Sequence, residues 1–397
     1  MRESTLPIPL GSGRERNSLA RNMIRPTNEH SVAIQEGRFG GRCFQMDSAT
    51  AHFRHKSEVS RRMKTQINWM VSSISILSLL NSRAAEPTAP VPKAPTQWPD
   101  GFSLVQIRST LDESFQPAYF FASQPGSLKP LVVSLHTWSG DYTQSDPLAE
   151  MVKNEGWNYI HPDFRGPNRS KDACLSKKAI SDMDDSIQYA INSGSVDPEN
   201  IFVVGVSGGG YATLGMYLRT SHNIKAFLSW AAISDLSAWF YQSKVRYPEY
   251  AQDILHCISD GIHFDENEAR RRSPLFWEMP AKLKGRLEIF EGIKDGYTGS
   301  VPISHSILFF NKIVLHCGYP ESRVGEADIV KLLTRGIEQK VDCDKIEGRD
   351  VLYEKNTAPV SLTIFDGGHE MLTEYCLGRM KTLAGERTAG TKPIRTP

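Results

Sequence analysis

The run Ile201-Phe202-Val203-Val204, then Gly205-Val206-Ser207-Gly208-Gly209, then Tyr211-Ala212-Thr213-Leu214-Gly215-Met216 narrows what this chain can fold into. Four consecutive apolar residues, three of them β-branched, read as a buried strand, and the stretch after the glycines reads as a helix. Between them the chain must reverse within a few residues, and glycines either side of the serine leave room for strand and helix to approach. A serine at the apex of such a turn has strained backbone angles and a hydroxyl held out in the open. The helix start behind it offers unpaired N–H groups and the positive end of a dipole. That layout suits Ser207 as a nucleophile, with the N–H of Gly208 facing a developing oxyanion.

A serine nucleophile needs a base and a carboxylate to orient it, and behind such an elbow they follow in the order acid, then histidine. Leu287-Glu288-Ile289-Phe290 reads as a short buried strand that leads into Gly292-Ile293-Lys294-Asp295-Gly296. Val360-Ser361-Leu362-Thr363-Ile364-Phe365 alternates as a strand and empties into Asp366-Gly367-Gly368-His369-Glu370. Asp295 and His369 therefore each stand where a strand ends in a glycine loop, within reach of a neighbouring strand's tip. Glu291, still inside its strand, and Asp366 are the rival carboxylates. Among the histidines, His136 precedes the serine, and His305 and His316 fall in a helix expected over 304–316, where structural or surface roles are commoner. A second oxyanion donor is sought after the strand Leu131-Val132-Val133-Ser134-Leu135, in the loop His136-Thr137-Trp138-Ser139-Gly140. The N–H of Trp138 is the candidate, although the same residue could equally wall an acyl pocket or be a packed aromatic.

Strand and helix patterns alternate through the body of the chain. Strands are predicted near 103–109, 117–122, 131–136, 157–161, 200–205, 225–230, 286–291 and 360–365. Helices are predicted near 144–155, 180–193, 208–219, 304–316, 326–335 and 370–382. Such alternation argues for an α/β domain, a mainly parallel eight-stranded sheet with helices on both faces, edged by an antiparallel hairpin from the first two strands. The stretch 234–284 breaks the pattern, carries eight aromatic residues, and is expected to form an inserted cap. Within it Trp239 and Phe240, with Trp138, are tentative pocket residues, though aromatics there more often serve packing. A second insertion, 318–357, is expected to be helical at 326–333 and charged and exposed over 342–355. Asp182, Asp184 and Asp185 read as helix-start carboxylates favoured by the dipole.

These motifs together resemble the catalytic domain of the prolyl oligopeptidase group of α/β-hydrolases. The resemblance rests on the strand–Gly-Val-Ser-Gly-Gly-Gly elbow, the Gly-x-x-Asp-Gly loop followed by Val301-Pro302, and Gly367-Gly368-His369-Glu370, and covers roughly 100–380. It implies an α/β-hydrolase fold and a serine peptidase or a related esterase. Two departures stand out. The family usually has Asp-x-x-Val, whereas Gly-Tyr-Thr-Gly-Ser separates Asp295 from Val301 here. Its peptidases also carry a β-propeller ahead of the hydrolase domain, for which no stretch is expected in this chain. Arg165-Gly166 after the fourth strand resembles a turn of the same family, in which the arginine braces loops beneath the site.

Charge separates the chain into two parts. Residues 1–84 hold 13 Lys/Arg and 6 Asp/Glu, and the remainder holds 33 and 39, so a basic start precedes a mildly acidic body. An acidic body gives no electrostatic footprint for nucleic acid. Arg61-Arg62-Met63-Lys64, the apolar run from Trp69 to Leu80 and Ser82-Arg83-Ala84-Ala85 have the form of a secretory signal over 63–84. Its apolar core is too short for a membrane anchor. Met63 is then the expected initiator, with 1–62 a mis-called extension or disordered leader. A proline-rich linker over 85–98, the hydrolase domain over 99–384 and a disordered tail over 385–397 follow. Export permits disulfides, but five cysteines follow the signal, and an odd number leaves one thiol. None has zinc-ligand spacing, so no metal or other cofactor is expected. The reading is an exported, periplasmic or extracellular serine hydrolase acting on a small ester or peptide. A carboxylic-ester or carbohydrate esterase is the alternative, and a non-catalytic hydrolase-fold binding protein the alternative of another class.

Overall fold

The computed structural model describes residues 98–337 and 344–386. The chain divides into two units, Met1–Ala89 and Pro90–Pro397, and all described residues fall in the second. The leader, the signal and all of the linker but Trp98, together with Cys343 and the tail beyond Glu386, lie outside the described residues.

Strands β1 (Ser103–Arg108), β2 (Phe115–Phe121), β3 (Lys129–Leu135), β4 (Asn158–Pro162), β5 (Val196–Val206), β6 (Ala226–Trp230), β7 (Arg286–Gly292), β8 (Lys345–Ile346), β9 (Arg349–Thr357) and β10 (Val360–Phe365) form one sheet. Its order is β1-β2-β4-β3-β5-β6-β7-β10-β9-β8. The six central strands, β4 to β10 in that order, run parallel, and the β1–β2 hairpin joins β4 antiparallel. Among the described residues the sheet thus has ten strands rather than the eight expected. The additional β9 pairs antiparallel with β10, and β8 with β9, at the far edge. The charged 342–355 stretch is therefore largely an edge strand. All but Glu354 and Asn356 of this strand are half-buried, as befits a strand near the sheet edge.

Helices α1 (Pro147–Asn154), α2 (Lys177–Ser193), α3 (Gly208–Arg219), α4 (Leu236–Arg246), α5 (Pro248–Ile258), α6 (Glu266–Arg271), α7 (Ser304–His316), α8 (Glu326–Leu333) and α9 (Thr373–Gly385) connect or flank the strands. Strand alternation sends successive side chains to opposite faces, and two cores result. Leu131, Val133, Ile201, Val203, Leu287 and Ile289 face the core shared with α2, α3, α7 and the cap. Val132, Phe202, Val204, Leu228 and Phe290 face the core closed by α1 and α9. Each such side chain, fully buried, contributes roughly 1.5–3 kcal/mol, so strands apolar on both faces are fixed centrally in the sheet.

Helix ends follow the sequence chemistry. Asp146, Ser176, Asp235 and Asp265 cap α1, α2, α4 and α6 through their side-chain oxygens, and Pro248 begins α5. Because α2 starts at Lys177, the aspartates at 182, 184 and 185 lie beyond its first turn, and their role as dipole partners is corrected. They are ties instead: Asp182 pairs with Arg165, Asp184 accepts from Thr220 and Ser221, and Asp185 accepts from Thr110. Arg165 also reaches Asp112 at 2.9 Å, bracing the β1–β2 turn against α2. Cys174, Cys257, Cys317 and Cys376 are free thiols. No described helix is long and apolar enough to cross a membrane.

Candidate active site

Ser207 lies between β5 and α3 with φ +59° and ψ −118°, a left-handed backbone that a side chain rarely adopts. Two bonds hold it there: its N–H donates to the Trp230 carbonyl at 2.9 Å, and its carbonyl accepts from the N–H of Tyr211 at 2.9 Å. The flanking glycines are sterically required. A Cβ on Gly205 would lie 2.4 Å from the Gly209 backbone, and one on Gly208 would lie 2.2 Å from the Trp138 nitrogen. The elbow therefore presses against the loop after β3, and the amides of Gly208 and Trp138 become neighbours.

Asp295 follows β7 and is buried, with 1% of its surface exposed. Its Oδ1 accepts from the N–H groups of Gly296 and Val301 at 2.9 and 3.0 Å, and its Oδ2 lies 2.6 Å from His369 Nδ1. Three donors converging on one carboxyl make the surroundings of an ionised carboxylate. The inserted Gly-Tyr-Thr-Gly-Ser loop does not break the Val301 contact; it loops out and returns. Gly299 lets it lie close, since a Cβ there would meet Asp295 Oδ1 at 2.2 Å and His369 Cβ at 2.6 Å. The loop also carries Ser300 to 3.5 Å from His369 Nε2.

His369 follows β10, and Glu370 beside it accepts from the Gly368 N–H and pairs with Arg349 of β9 at 3.0 Å. The edge strand thereby steadies the histidine loop. Ser207 and His369 line one cavity of about 420 Å³ with Trp138, Gln144, Tyr250 and Met371. Asp295 stands behind His369, on the side away from that space.

The loop after β3 is built by its own side chains. Gln144 Oε1 accepts from the N–H and the hydroxyl of Thr137 at 3.0 and 2.7 Å, which commits the Thr137 amide. The His136 ring stacks on Phe164 at 3.8 Å and lies between the carbonyls of Thr137 and Asp163. Trp138 Nε1 donates to Asp253 of α5 at 3.2 Å, so the cap orients this indole.

Two of the tentative pocket residues are elsewhere. Trp239 is wholly buried, edge-on to Trp138 at 4.7 Å, and donates from Nε1 to the Ser300 carbonyl at 2.9 Å. Phe240 stacks on Phe264 at 4.4 Å. Neither lines the cavity, and the expectation that they do is corrected. The cap is built of three helices, and the large rings of Trp239 and Phe240 are buried inside it rather than turned to the cavity. Tyr250, stacked on Trp239, is the cap aromatic that reaches the cavity. Gln144 and Ser300 were not singled out from sequence, because neither belongs to a motif, and Tyr250 was one of the eight cap aromatics without being set apart; only the unusual length of the Asp295–Val301 spacing pointed toward Ser300.

Buried charge is arranged unevenly beneath the site. Glu291 of β7 is fully buried, and burial, reinforced by the neighbouring Asp295 charge, pushes its carboxyl well above the usual range. His305 of α7 is pushed down to about 4 by burial. Its Nδ1 accepts from the N–H groups of Ser234 and Asp235, and its Nε2 faces Gln242 Oε1 at 2.8 Å, the pattern of a neutral ring.

The model of the prolyl oligopeptidase family matches residues 145–316. No curated protein matches the chain. Among solved structures, the Pyrococcus horikoshii acylaminoacyl peptidase shares 14% identity at a TM-score of 0.49, over 72% of this chain and 41% of that one. A Mycobacterium tuberculosis puromycin-hydrolyzing peptidase shares 16% at 0.46, over 75% and 40%. Prolyl oligopeptidase B from Galerina marginata shares 13% at 0.48, over 72% and 36%. The chain thus spans about two fifths of the length of the structures it resembles. The matched segment contains the elbow, the cap and the Asp295 loop, and the parallel strands of this chain continue beyond it to β10. Residues 145–316 thus match the model of the prolyl oligopeptidase family, and they lie within a mainly parallel sheet flanked by helices, an α/β fold.

Proposed function

We propose that the protein is a serine hydrolase of the prolyl oligopeptidase type, cleaving an acyl bond of a short peptide or small ester. The observation that carries this reading is the 2.6 Å contact between His369 Nδ1 and Asp295, with His369 and the strained Ser207 facing one cavity. Asp295 fixes the Nδ1–H tautomer, which leaves His369 Nε2 as the proton acceptor. The Ser207 oxygen attacks the carbonyl carbon while its proton passes to Nε2. The carbonyl oxygen gains the negative charge and accepts from the N–H groups of Gly208 and Trp138. With the Thr137 amide committed to Gln144, Trp138 is the donor left free to serve there. Nε2–H then protonates the leaving amine or alcohol, and water releases the acyl group by the same steps in reverse.

Peptides are the favoured substrates, on the strength of the family match. The cavity supports a small substrate: about 420 Å³, walled by Trp138, Tyr250 and Met371. Export under the direction of residues 63–84 completes the proposal. The test is labelling with a fluorophosphonate, followed by peptide anilides and p-nitrophenyl esters side by side. Labelling at Ser207 with anilide turnover supports the peptidase, turnover of esters alone the esterase. A folded protein that is neither labelled nor active overturns the catalytic reading in favour of a binding protein.

A further inference from the structure

Glu291 is the buried group that the mechanism above does not use. It sits on β7 four residues before Asp295, fully enclosed between the sheet and α7. Its Oε2 accepts from the Ser306 hydroxyl at 2.7 Å, and no donor is directed at its Oε1. Among the described residues no Lys or Arg forms an ion pair with it. The groups packed around it supply no positive charge either. On α7, Ser306 is neutral and the hydrogen bonds of His305 are those of a neutral ring. On the loop after β7 stands Asp295, a carboxylate held by three donors. On the loop after β10, His369 is committed to Asp295. On β7 itself Glu288 faces the opposite side of the sheet and is paired with Arg379 and Arg286.

Two ionised carboxylates in this space would leave one buried charge uncompensated, at a cost of several kcal/mol. We propose that Glu291 keeps its proton in the working enzyme and, as a neutral acid donating to Asp295, fixes the carboxylate that orients His369. The proton resides on Oε1, the oxygen without a donor, while Oε2 continues to accept from Ser306. Glu291 is thus a positioning residue, and the inference rests on the triad reading of Ser207, Asp295 and His369.

Glu291→Gln keeps the shape, the neutral charge and a donor toward Asp295, whereas Glu291→Leu keeps only the bulk. Glu291→Leu is expected to lower kcat by about tenfold or more, and Glu291→Gln to restore most of it. The kcat/KM profile of the natural protein should fall on its alkaline side as Glu291 ionises, and Glu291→Gln should remove that fall. The third readout needs no turnover: the infrared spectrum at neutral pH contains a protonated-carboxyl band that Glu291→Gln abolishes. If Glu291→Leu fails to fold, the Gln variant and the spectrum still decide. A silenced but folded Glu291→Gln, or a spectrum lacking such a band, overturns the proposal. Full turnover by Ser207→Ala would instead defeat the triad reading, and the infrared result would still stand on its own.

Discussion

A side chain held at φ +59° costs about 1–3 kcal/mol, and at Ser207 the surrounding backbone bonds sustain it. Ser207→Ala keeps that backbone and removes only the hydroxyl. Its unfolding midpoint should therefore stay within a degree or two, while turnover of an activated ester falls about 10³-fold or more. Gly208→Ala tests the neighbouring oxyanion site, because a Cβ 2.2 Å from the Trp138 nitrogen forces the two amides apart. A loss of about 10²-fold in kcat is expected, the worth of one oxyanion donor. Unchanged kcat would remove Trp138 from that role. At this scale the sequence is legible where chemistry and backbone coincide: Ser207, Asp295 and His369 each end a strand beside glycine. Gln144 was illegible because its side-chain bonds to Thr137 form only once the loop after β3 has closed on itself, and Tyr250 because the cap reaches the loop through long-range packing, as in the Trp138–Asp253 bond across 115 residues.

Elements read well where their pattern is local. The eight strands with continuous or alternating apolar runs were all visible, while β9 was not, because it is only half-buried and its charges mimic a loop. The first cap helix, Leu236–Arg246, was illegible in another way, since its apolar and polar residues follow no clear helical period. One of the cap's attachments is a contact between elements that no pattern displays. From α4, Arg246 donates to the carbonyls of Gly296, Tyr297 and Gly299, and Trp239 donates to that of Ser300. Arg246→Ala should slacken the loop across Asp295 and His369, lowering kcat about tenfold with a small shift in the unfolding midpoint. Lysine should not restore it, since one ammonium cannot reproduce the fork. Equal rates of fluorophosphonate labelling in Arg246→Ala and the natural protein would show that the loop holds itself.

For the whole molecule, stability is limited on both sides of neutrality by buried groups. Burial holds His161 and His305 down to about 4, below an unfolded value near 6.5. A depressed histidine contributes stability that is complete above its unfolded value and lost as pH falls toward 4. Each shift corresponds to about 3 kcal/mol, so denaturant midpoints should drop steeply between about pH 6.5 and 4. A flat midpoint across that window would contradict the neutral, buried rings. Glu291 acts in the other direction. Its raised carboxyl favours the folded state at low pH and loses that advantage as pH rises above the unfolded carboxyl value of about 4.3. Glu291→Gln should therefore gain stability over the natural protein progressively with rising pH. The proposed export adds a separate measurement: N-terminal sequencing of secreted material should begin near Ala85, and a start upstream of Met63 would refute it. The Arg246 clasp has a last consequence, for how such chains can be recombined. Residues 50–53 positions apart behave as one exchangeable cassette, because the cap grips the backbone beside the acid. A chimera joined between Arg246 and Gly296 would seat a foreign cap on a loop that was never selected to receive it. Crossovers placed before Ser234 and after Pro302 would transplant both halves together and keep the histidine's partner in place.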